Sequence, residues 1–284
     1  MNVIVAKHAG FCFGVERATL MAFEKASEED GCRTCTLGPI IHSPQVVERL
    51  EEKGVKVIKS LSEIETGRVI LRSHGVTAAE MKEAYDKGLD VVDATCPFVK
   101  KAQKQVQMLS EEGYDMVIVG EQEHPEVEGI VSYATGRVFV IASAADALNL
   151  PEMKKTGVVA QTTQSYSTLQ AVVAACLAKT QELRVFNTIC DATSVRQEEA
   201  KAIAGDVGCM LVIGGFNSAN TRRLTEVCRE IQQNTHHIET AEQLSPDWFA
   251  GVDAVGVTAG ASTPKWLIDE VLKGIKAHCV DKKC

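Results

Sequence analysis

Three of the ten cysteines occupy equivalent places in the sequence, and thiolates are preferred ligands of soft metals. Cys12, Cys96 and Cys190 each follow a short predicted strand and precede a predicted helix. Three thiolates that face a common centre can hold a four-iron cluster on three corners and leave one iron open. They can also hold zinc with one open position. The spacing therefore predicts one shared metal centre, and both metals stay open at this point.

The other seven cysteines do not follow this spacing. Cys32 and Cys35 form a Cys-x-x-Cys pair that has no second pair nearby, and Cys279 and Cys284 are expected in a terminal tail. A single buried cysteine usually behaves as a small hydrophobic residue. That is the interpretation we favour for Cys176, Cys209 and Cys228.

Two more turns in each repeat carry short polar side chains just before predicted helices. Helix N-termini present unpaired N–H groups and the positive end of the helix dipole, which together suit a phosphate group. Capping of the helix is the alternative role for Ser, Thr and Asn, and it is compatible with anion binding. We predict an anion pocket formed by these turns, with the following binding residues: His42, His74, His124, Thr162, Thr163, Ser218, Asn220 and Ser262.

A carboxyl group lies next to one of these histidines. Glu126 follows His124 by two residues. In a cavity that excludes water, a carboxyl group can be tuned to deliver a proton to a substrate. The alternative is a first-turn glutamate that only favours the helix dipole. We predict that Glu126 is a proton donor.

Three similar segments must position these side chains. Each reads strand, helix, strand, helix, strand, strand, helix, and His42, His124 and Ser218 lie 30, 28 and 28 residues after the cysteine of their own segment. Alternating strands and helices predict parallel sheets, in which ligands bind beyond the carboxyl ends of the strands. The predicted fold class is α/β, with three similar domains in a pseudo-threefold trefoil around a central site.

The predicted domains are residues 1–95, 96–189 and 190–284. The strand within residues 1–12 can pair either with the first unit or with the third, and the sequence leaves this open. Prediction of the repeat rests on matching positions of strand ends, cysteines and polar turns.

Composition excludes several classes of protein. The 284 residues are 45% hydrophobic and 24% charged, as in an ordinary globular protein, and the net charge of −8 argues against a nucleic acid or an anionic membrane as partner. No apolar run approaches the roughly 20 residues that span a bilayer. The first residues resemble a strand and not a secretion signal, so we expect a cytoplasmic protein.

The motifs together resemble one family. The chain is similar to the 4-hydroxy-3-methylbut-2-enyl diphosphate reductases, the LytB/IspH-type iron–sulfur enzymes, over nearly its whole length and in the same order. The matching stretches are Gly10-Phe11-Cys12-Phe13-Gly14-Val15, Ser73-His74-Gly75-Val76, Asp93-Ala94-Thr95-Cys96-Pro97, His124-Pro125-Glu126-Val127-Glu128-Gly129, Gln161-Thr162-Thr163, Asn217-Ser218-Ala219-Asn220-Thr221 and Thr258-Ala259-Gly260-Ala261-Ser262.

The resemblance implies a specific reaction. In the family, an oxygen-sensitive [4Fe-4S] cluster, one per chain, is held by cysteines that match Cys12, Cys96 and Cys190. The resemblance also implies that the diphosphate is bound by the histidines and polar residues predicted above and at position Ala219. It implies catalytic roles for Glu126, Thr162 and His124. Two electrons from ferredoxin or flavodoxin and two protons remove a hydroxyl group as water. The products are isopentenyl and dimethylallyl diphosphates, in the last step of the methylerythritol phosphate route to isoprenoids.

Two departures and two alternatives accompany this prediction. Ser43 stands where members of the family commonly carry Asn, and Ala219 where many carry Ser. A zinc hydrolase is a second enzymatic interpretation of the three thiolates. An iron–sulfur sensor or a module that binds a phosphorylated metabolite is the non-enzymatic one.

Overall fold

Parallel strands form the framework of the protein. The computed structural model describes residues 1–280. Within that range the chain forms twelve strands: β1 (Asn2–Val5), β2 (Thr34–Leu37), β3 (Lys56–Ile58), β4 (Arg68–Leu71), β5 (Asp90–Asp93), β6 (Asp115–Val119), β7 (Val138–Ile141), β8 (Met153–Ala160), β9 (Thr180–Val185), β10 (Cys209–Ile213), β11 (Thr235–Ile238) and β12 (Ala254–Ala259).

Ten α-helices lie between and after these strands in the described range. They are α1 (Phe13–Ala26), α2 (Pro44–Glu51), α3 (Ala78–Asp86), α4 (Pro97–Glu111), α5 (Pro125–Val131), α6 (Ala144–Ala147), α7 (Tyr166–Leu177), α8 (Asp191–Asp206), α9 (Ala219–Arg229) and α10 (Lys265–Val280). None of the helices in residues 1–280 is both long and apolar enough to cross a bilayer.

The strands form three sheets with one topology. The order is β3-β2-β4-β5 in the first sheet, β7-β6-β8-β9 in the second and β11-β10-β12-β1 in the third. Every pairing is parallel. The three predicted α/β repeats are therefore confirmed as three four-stranded parallel sheets with helices.

The first strand completes the third sheet. β1 pairs with β12, and Asn2 lies opposite Ala254 in the register. With that assignment, the strand before each predicted metal-binding cysteine is the fourth in its sheet: β5 before Cys96, β9 before Cys190 and β1 before Cys12. The three cysteines thus leave their sheets at equivalent edges.

Alternating side chains of the central strands supply the cores. In β10, Cys209, Leu211 and Ile213 pack on one face of the third sheet, and Met210 and Val212 pack on the other. Side chains of a strand point alternately to opposite faces, so a continuous apolar strand is stable only when helices cover both faces. The central strands are therefore fixed in place, and the turns at their ends are held by a rigid frame.

The residues group into two compact units. One unit contains Met1–Val15, His42–Val46 and the chain from Asp191 onward, and includes the third sheet; we call it the one-sheet unit. The other contains Glu16–Ile41 and Val47–Cys190, and includes the first and second sheets; we call it the two-sheet unit. The division into domains 1–95, 96–189 and 190–284 stays a prediction.

Two sequence-based boundaries are wrong. The helix expected to begin near Val195 begins at Asp191, directly after Cys190. Thr193 and Arg196 are buried there, and tertiary packing outweighs the low helix propensity of the β-branched residues. Cys279 lies within α10 and not in a tail. Cys284 lies outside the described residues.

Candidate functional site

The backbones of the three predicted metal-binding cysteines are held in the same way. The N–H of Cys96 donates to the carbonyl of Ser73, that of Cys190 to Thr162, and that of Cys12 to Ala261, at 2.9, 3.0 and 3.2 Å. Each acceptor lies two residues beyond the end of the third strand of the same sheet, after β4, β8 and β12. Each cysteine is thus tied to the adjacent polar turn of its own sheet.

These three cysteines differ from the buried ones. Cys12, Cys96 and Cys190 are half-buried and form no disulfide, and a helix begins at the next residue of each. Helix N-termini favour the thiolate form, which is the form that binds metal. The donor atom of each such thiol is of the type that binds the iron of an iron–sulfur cluster or a zinc ion.

The thiols assigned to the hydrophobic cores have the opposite environment. Burial raises the pKa of Cys209 and of Cys228 to about 12, and it also raises the pKa of Cys176. A thiol that stays protonated is neither a nucleophile nor a good metal ligand. Cys35 in β2 is fully buried as well. The prediction that Cys176, Cys209 and Cys228 are structural residues is confirmed by this burial.

A buried carboxyl group lies in the two-sheet unit, between the turns after β6 and β8. Glu126, in the first turn of α5, is 2% exposed. The backbone N–H of Thr162 donates to Glu126 Oε1 at 2.6 Å, and the Thr162 hydroxyl donates to Oε2 at 2.9 Å. One threonine therefore holds both oxygens of the carboxyl group.

The environment of Glu126 changes its acidity. Burial raises the pKa of Glu126 to about 7, and it outweighs the two hydrogen bonds from Thr162, which act in the opposite direction. Glu126 therefore exchanges a proton near neutral pH. A general acid is most effective when its pKa lies near the working pH. Glu126 also lies in the first turn of α5, so the alternative of a favourable interaction with the helix dipole is compatible with this burial.

His124 precedes α5 and caps it. The backbone N–H of Glu126 donates to His124 Nδ1 at 3.1 Å, so Nδ1 is an acceptor and the neutral ring carries its proton on Nε2. His124 is buried, and its ring centroid lies 5.5 Å from that of His74 with the planes nearly perpendicular. The turn after β4, which carries His74, and the turn after β6 thus bring two imidazoles together.

Thr162 also connects the carboxyl group to a predicted metal ligand. Its side chain and N–H bind Glu126, while its carbonyl accepts the N–H of Cys190. Thr163 follows in the same turn and is half-buried. Glu126 and Cys190 are therefore two contacts of one residue, and substitution of Thr162 is expected to disturb both.

Gln161 belongs to this site, although the sequence pattern assigned it no role of its own. Its side chain is 2% exposed; Oε1 accepts the N–H of Glu121 at 3.1 Å, and the buried Nε2 has no hydrogen-bond partner. A buried amide without a partner is costly unless a ligand satisfies it. Its place directly before Thr162 was the only signal in the sequence.

In the one-sheet unit, the predicted binding residues at the start of α9 have no ionisable side chains. Ser218 caps α9 and accepts the N–H of Thr221 at 3.3 Å, which confirms the capping role. Ala219 and Asn220 are buried in the first turn of the helix, and Asn220 Nδ2 has no hydrogen-bond partner. The start of α9 therefore offers a buried amide donor beside a helix N-terminus.

Ser262 and His42 meet within the same unit. The Ser262 hydroxyl donates to the carbonyl of His42 at 3.2 Å. A Cβ atom on Gly215 would lie 2.7 Å from that carbonyl, so glycine is required for this approach. Ser43 is buried and donates to the side chain of Gln45 at 3.2 Å. The half-buried His42 ring is thus carried by a segment that Ser262 fixes.

Comparisons with known proteins agree over nearly the whole chain. A family model described as LytB protein matches residues 3–276. The 4-hydroxy-3-methylbut-2-enyl diphosphate reductase of Geotalea uraniireducens (strain Rf4) is 64% identical over 282 residues, which cover 99% of each chain.

Two solved structures are similar in fold. A structure of (E)-4-hydroxy-3-methyl-but-2-enyl diphosphate reductase, described as the terminal enzyme of the non-mevalonate pathway, has a TM-score of 0.69 and 46% identity; the comparison covers 98% of this chain and 100% of the other. The E-1-hydroxy-2-methyl-but-2-enyl-4-diphosphate reductase of Plasmodium falciparum has a TM-score of 0.87 and 26% identity, over 97% and 87%.

Proposed function

The chain belongs to the LytB protein family, and from this premise we propose that it reduces (E)-4-hydroxy-3-methylbut-2-enyl diphosphate. The substrate gains two electrons and two protons, loses its hydroxyl group as water, and gives isopentenyl and dimethylallyl diphosphates. The reaction is the last step of the methylerythritol phosphate route to isoprenoids. The observation that carries the proposal is the buried Glu126–Thr162 pair, whose carboxyl pKa lies near neutrality.

The metal centre in this proposal is a [4Fe-4S] cluster held by Cys12, Cys96 and Cys190. Support comes from their half-buried thiols, equivalent backbone bonds and helix N-termini. When bound, such a cluster supplies electrons and a Lewis-acidic iron for cleavage of the carbon–oxygen bond. Zinc supplies the second property but not the first, so the proposed reduction favours iron and sulfide over zinc.

Delivery of a proton falls to the chain's own residues. A protonated Glu126 donates to the Thr162 hydroxyl, 2.9 Å from Oε2, and that hydroxyl passes a proton to the departing oxygen of the substrate. The relay needs no movement of the buried carboxyl group. Because the pKa of Glu126 is about 7, the carboxyl group recovers its proton readily near neutral pH.

Binding of the diphosphate is assigned to fixed hydrogen-bond donors. His124 offers Nε2–H because its Nδ1 already accepts a hydrogen bond, and Asn220 offers a buried amide that has no protein partner. Fixed donors at helix N-termini bind anions without the entropy loss of long lysine side chains. The remaining proposed ligands are His42, His74, Thr163, Ser218 and Ser262, with the backbone of Ala219.

Two further proposals follow from the same function. The chain receives its electrons one at a time from a reduced ferredoxin or flavodoxin, since both deliver single electrons at low potential. We also place the protein in the cytoplasm, where its diphosphate substrate and its electron donor are available.

An anaerobic turnover assay tests the proposed activity. Protein reconstituted with iron and sulfide is mixed with (E)-4-hydroxy-3-methylbut-2-enyl diphosphate and a chemically reduced viologen dye, and the products are separated by mass. The expected result is consumption of two dye electrons per molecule of isopentenyl or dimethylallyl diphosphate formed. Release of inorganic phosphate by a colourless zinc protein in air would instead support the hydrolase and overturn the proposal.

A further inference from the structure

The segment that leads to Cys12 is the longest of its kind. Six residues separate the end of β1 from Cys12, whereas two separate β5 from Cys96 and four separate β9 from Cys190. A longer connection leaves more backbone freedom, and that freedom must be removed if the cysteine is to be fixed before it binds a ligand. The segment before Cys12 therefore needs the most support from outside.

Arg196 of α8 supplies part of that support. Its Nε donates to the carbonyl of His8 at 3.0 Å and its Nη2 to the carbonyl of Gly10 at 2.8 Å, while Nη1 donates to Ala192 within the helix at 3.1 Å. Arg196 is only 3% exposed. The planar guanidinium group holds several acceptors in one fixed geometry, which a flexible ammonium group does not.

Glu199, one turn further along α8, binds the donors of the same segment. Its carboxylate accepts the backbone N–H of Lys7 at 2.7 Å and that of His8 at 3.0 Å, and it contacts His8 Nδ1 at 2.9 Å. Burial raises the pKa of the Glu199 carboxyl, but these hydrogen bonds outweigh burial and leave the pKa below its usual value. The group is therefore a stable anion at neutral pH.

The two side chains are complementary. Residues three apart on a helix lie on the same side, so Arg196 and Glu199 face the segment together. Arg196 donates to carbonyl groups of residues 7–10, and Glu199 accepts from N–H groups of the same segment. These backbone groups lie outside strands and helices, and the two side chains give them hydrogen-bond partners. Gly10, at φ +97°, closes the segment: a Cβ atom there would lie 3.1 Å from Ile268 Cδ1 and 3.2 Å from the carbonyl of Thr263.

We propose that Arg196 and Glu199 are positioning residues for Cys12, forming a clamp on α8 that fixes residues 7–10 and so holds the thiol in place before it binds metal. The proposal rests on the proposed function only in the identity of what Cys12 binds. Cys96 does not depend on this clamp, because Asp93 holds its segment by accepting the N–H of Thr95. Cys190 directly precedes α8, and Arg196 binds the carbonyl of Ala192 in the first turn of that helix, so Cys190 is not an independent control.

Alkylation of the metal-free protein tests the clamp. Full-length apoprotein in reductant is pulsed with iodoacetamide, and the extent of modification at each cysteine is measured by peptide mass spectrometry. In Arg196→Ala and Glu199→Ala, loss of charge-assisted hydrogen bonds is expected to raise the alkylation rate of Cys12 about tenfold. The rate at Cys96, which lies outside α8 and the clamped segment, is expected to change less than about twofold, and it serves as the internal control.

Conservative variants and a control arginine keep the test specific. Glu199→Gln retains one acceptor and Arg196→Lys retains one donor group, so both are expected to give intermediate rates at Cys12. Arg68→Ala removes a buried arginine of β4 that binds Asp30 and Asp90, and it should leave Cys12 unchanged. An equal rise at Cys12 and Cys96 in the mild Glu199→Gln variant, or no rise at Cys12 in any variant, would overturn the proposal.

Hydrogen exchange and metal retention give second readouts. The amides of residues 7–12 should exchange faster in the Ala variants than in the wild type, with no change in β10. After reconstitution, an iron chelator should strip metal from the Ala variants faster. Because alkylation and exchange use apoprotein, a clamp effect in a chain that binds no iron would refute the proposed function and leave the clamp standing.

Discussion

The second and third sheets have the same strand order, yet their polar turns have different chemistry. In the second sheet, the turns after β6 and β8 bring together Glu126 and Thr162, an ionisable carboxyl and a hydroxyl. In the third sheet, the equivalent turn after β10 presents Ser218 and Asn220, which do not ionise near neutral pH. The repeated fold supplies equivalent positions, and residue type decides what each position does.

This difference separates two tasks that one substrate requires. A proton donor must change its charge during the reaction, whereas the groups that bind a diphosphate work best when they are fixed in position. We therefore expect the step that depends on pH to involve the second sheet, and we expect Ser218 and Asn220 of the third sheet to contribute to affinity. Variants in the two regions should affect different kinetic constants.

The largest expected effect comes from Glu126→Gln. The amide keeps the shape of the carboxyl group and can bond to Thr162, but it has no proton to deliver, so kcat should fall about 10²- to 10⁴-fold. Substrate affinity and metal content should stay near those of the wild type. Glu128→Gln, on the exposed side of the same helix, is the matched control. Wild-type turnover by Glu126→Gln would remove the proton-donor role.

The stability of the apoprotein should also report on Glu126. The pKa is about 7 in the folded chain against 4.5 in the unfolded one, so the folded state binds more protons between these values and loses stability as the pH rises through them. Relative to Glu126→Gln, the wild type should lose about 2 to 3 kcal/mol between pH 4.5 and pH 8. Urea unfolding at several pH values measures this, and parallel curves for the two proteins would contradict it.

A variant of the third sheet should act on binding. In Asn220→Ala the buried amide is lost, and one hydrogen bond to a charged group contributes about 1.5–3 kcal/mol. We expect KM to rise about 10- to 100-fold while kcat changes much less. Arg223→Ala, whose side chain on the same helix pairs with Glu226, is the control. A fall in kcat without a change in KM would contradict the assignment of substrate binding to this part of the third sheet.

The smallest expected effect is a gain in substrate affinity. Ala219→Ser adds a hydroxyl at the buried start of α9, next to Ser218, where it can donate to the diphosphate. One neutral hydrogen bond contributes about 0.5–1.5 kcal/mol, so KM should fall about two- to tenfold. A rise in KM would show that the backbone at this position already makes the contact that the added hydroxyl blocks.

Much of the frame was predictable because it repeats. The central strands are short apolar runs that end in polar turns, and the cysteines recur at matching places, so the three parallel sheets followed from spacing. The pairing partner of β1 could not be predicted from spacing, because the sequence does not indicate which of two sheets the first strand completes. The alternation of Cys209, Leu211 and Ile213 with Met210 and Val212 likewise indicates burial but names no neighbour.

Side-chain partnerships were the part that sequence could not supply. Glu126 and Thr162 were each expected to handle a proton, but their direct contact joins residues 36 positions apart. In the sequence, Arg196 and Glu199 resemble ordinary helix residues. Their partners His8 and Gly10 are separated from them by more than 180 positions. Such contacts depend on the fold, and no local pattern encodes them.

Metal analysis tests the central claim most directly. The wild type and a Cys12→Ser, Cys96→Ser, Cys190→Ser triple variant are purified without oxygen and freshly reconstituted with iron and sulfide. Each protein is then assayed for iron, sulfide and zinc, and its absorption spectrum is recorded. The account predicts about four irons and four sulfides per chain in the wild type, and none retained by the triple variant. One zinc and no sulfide in the wild type, or a full cluster in the variant, would contradict it.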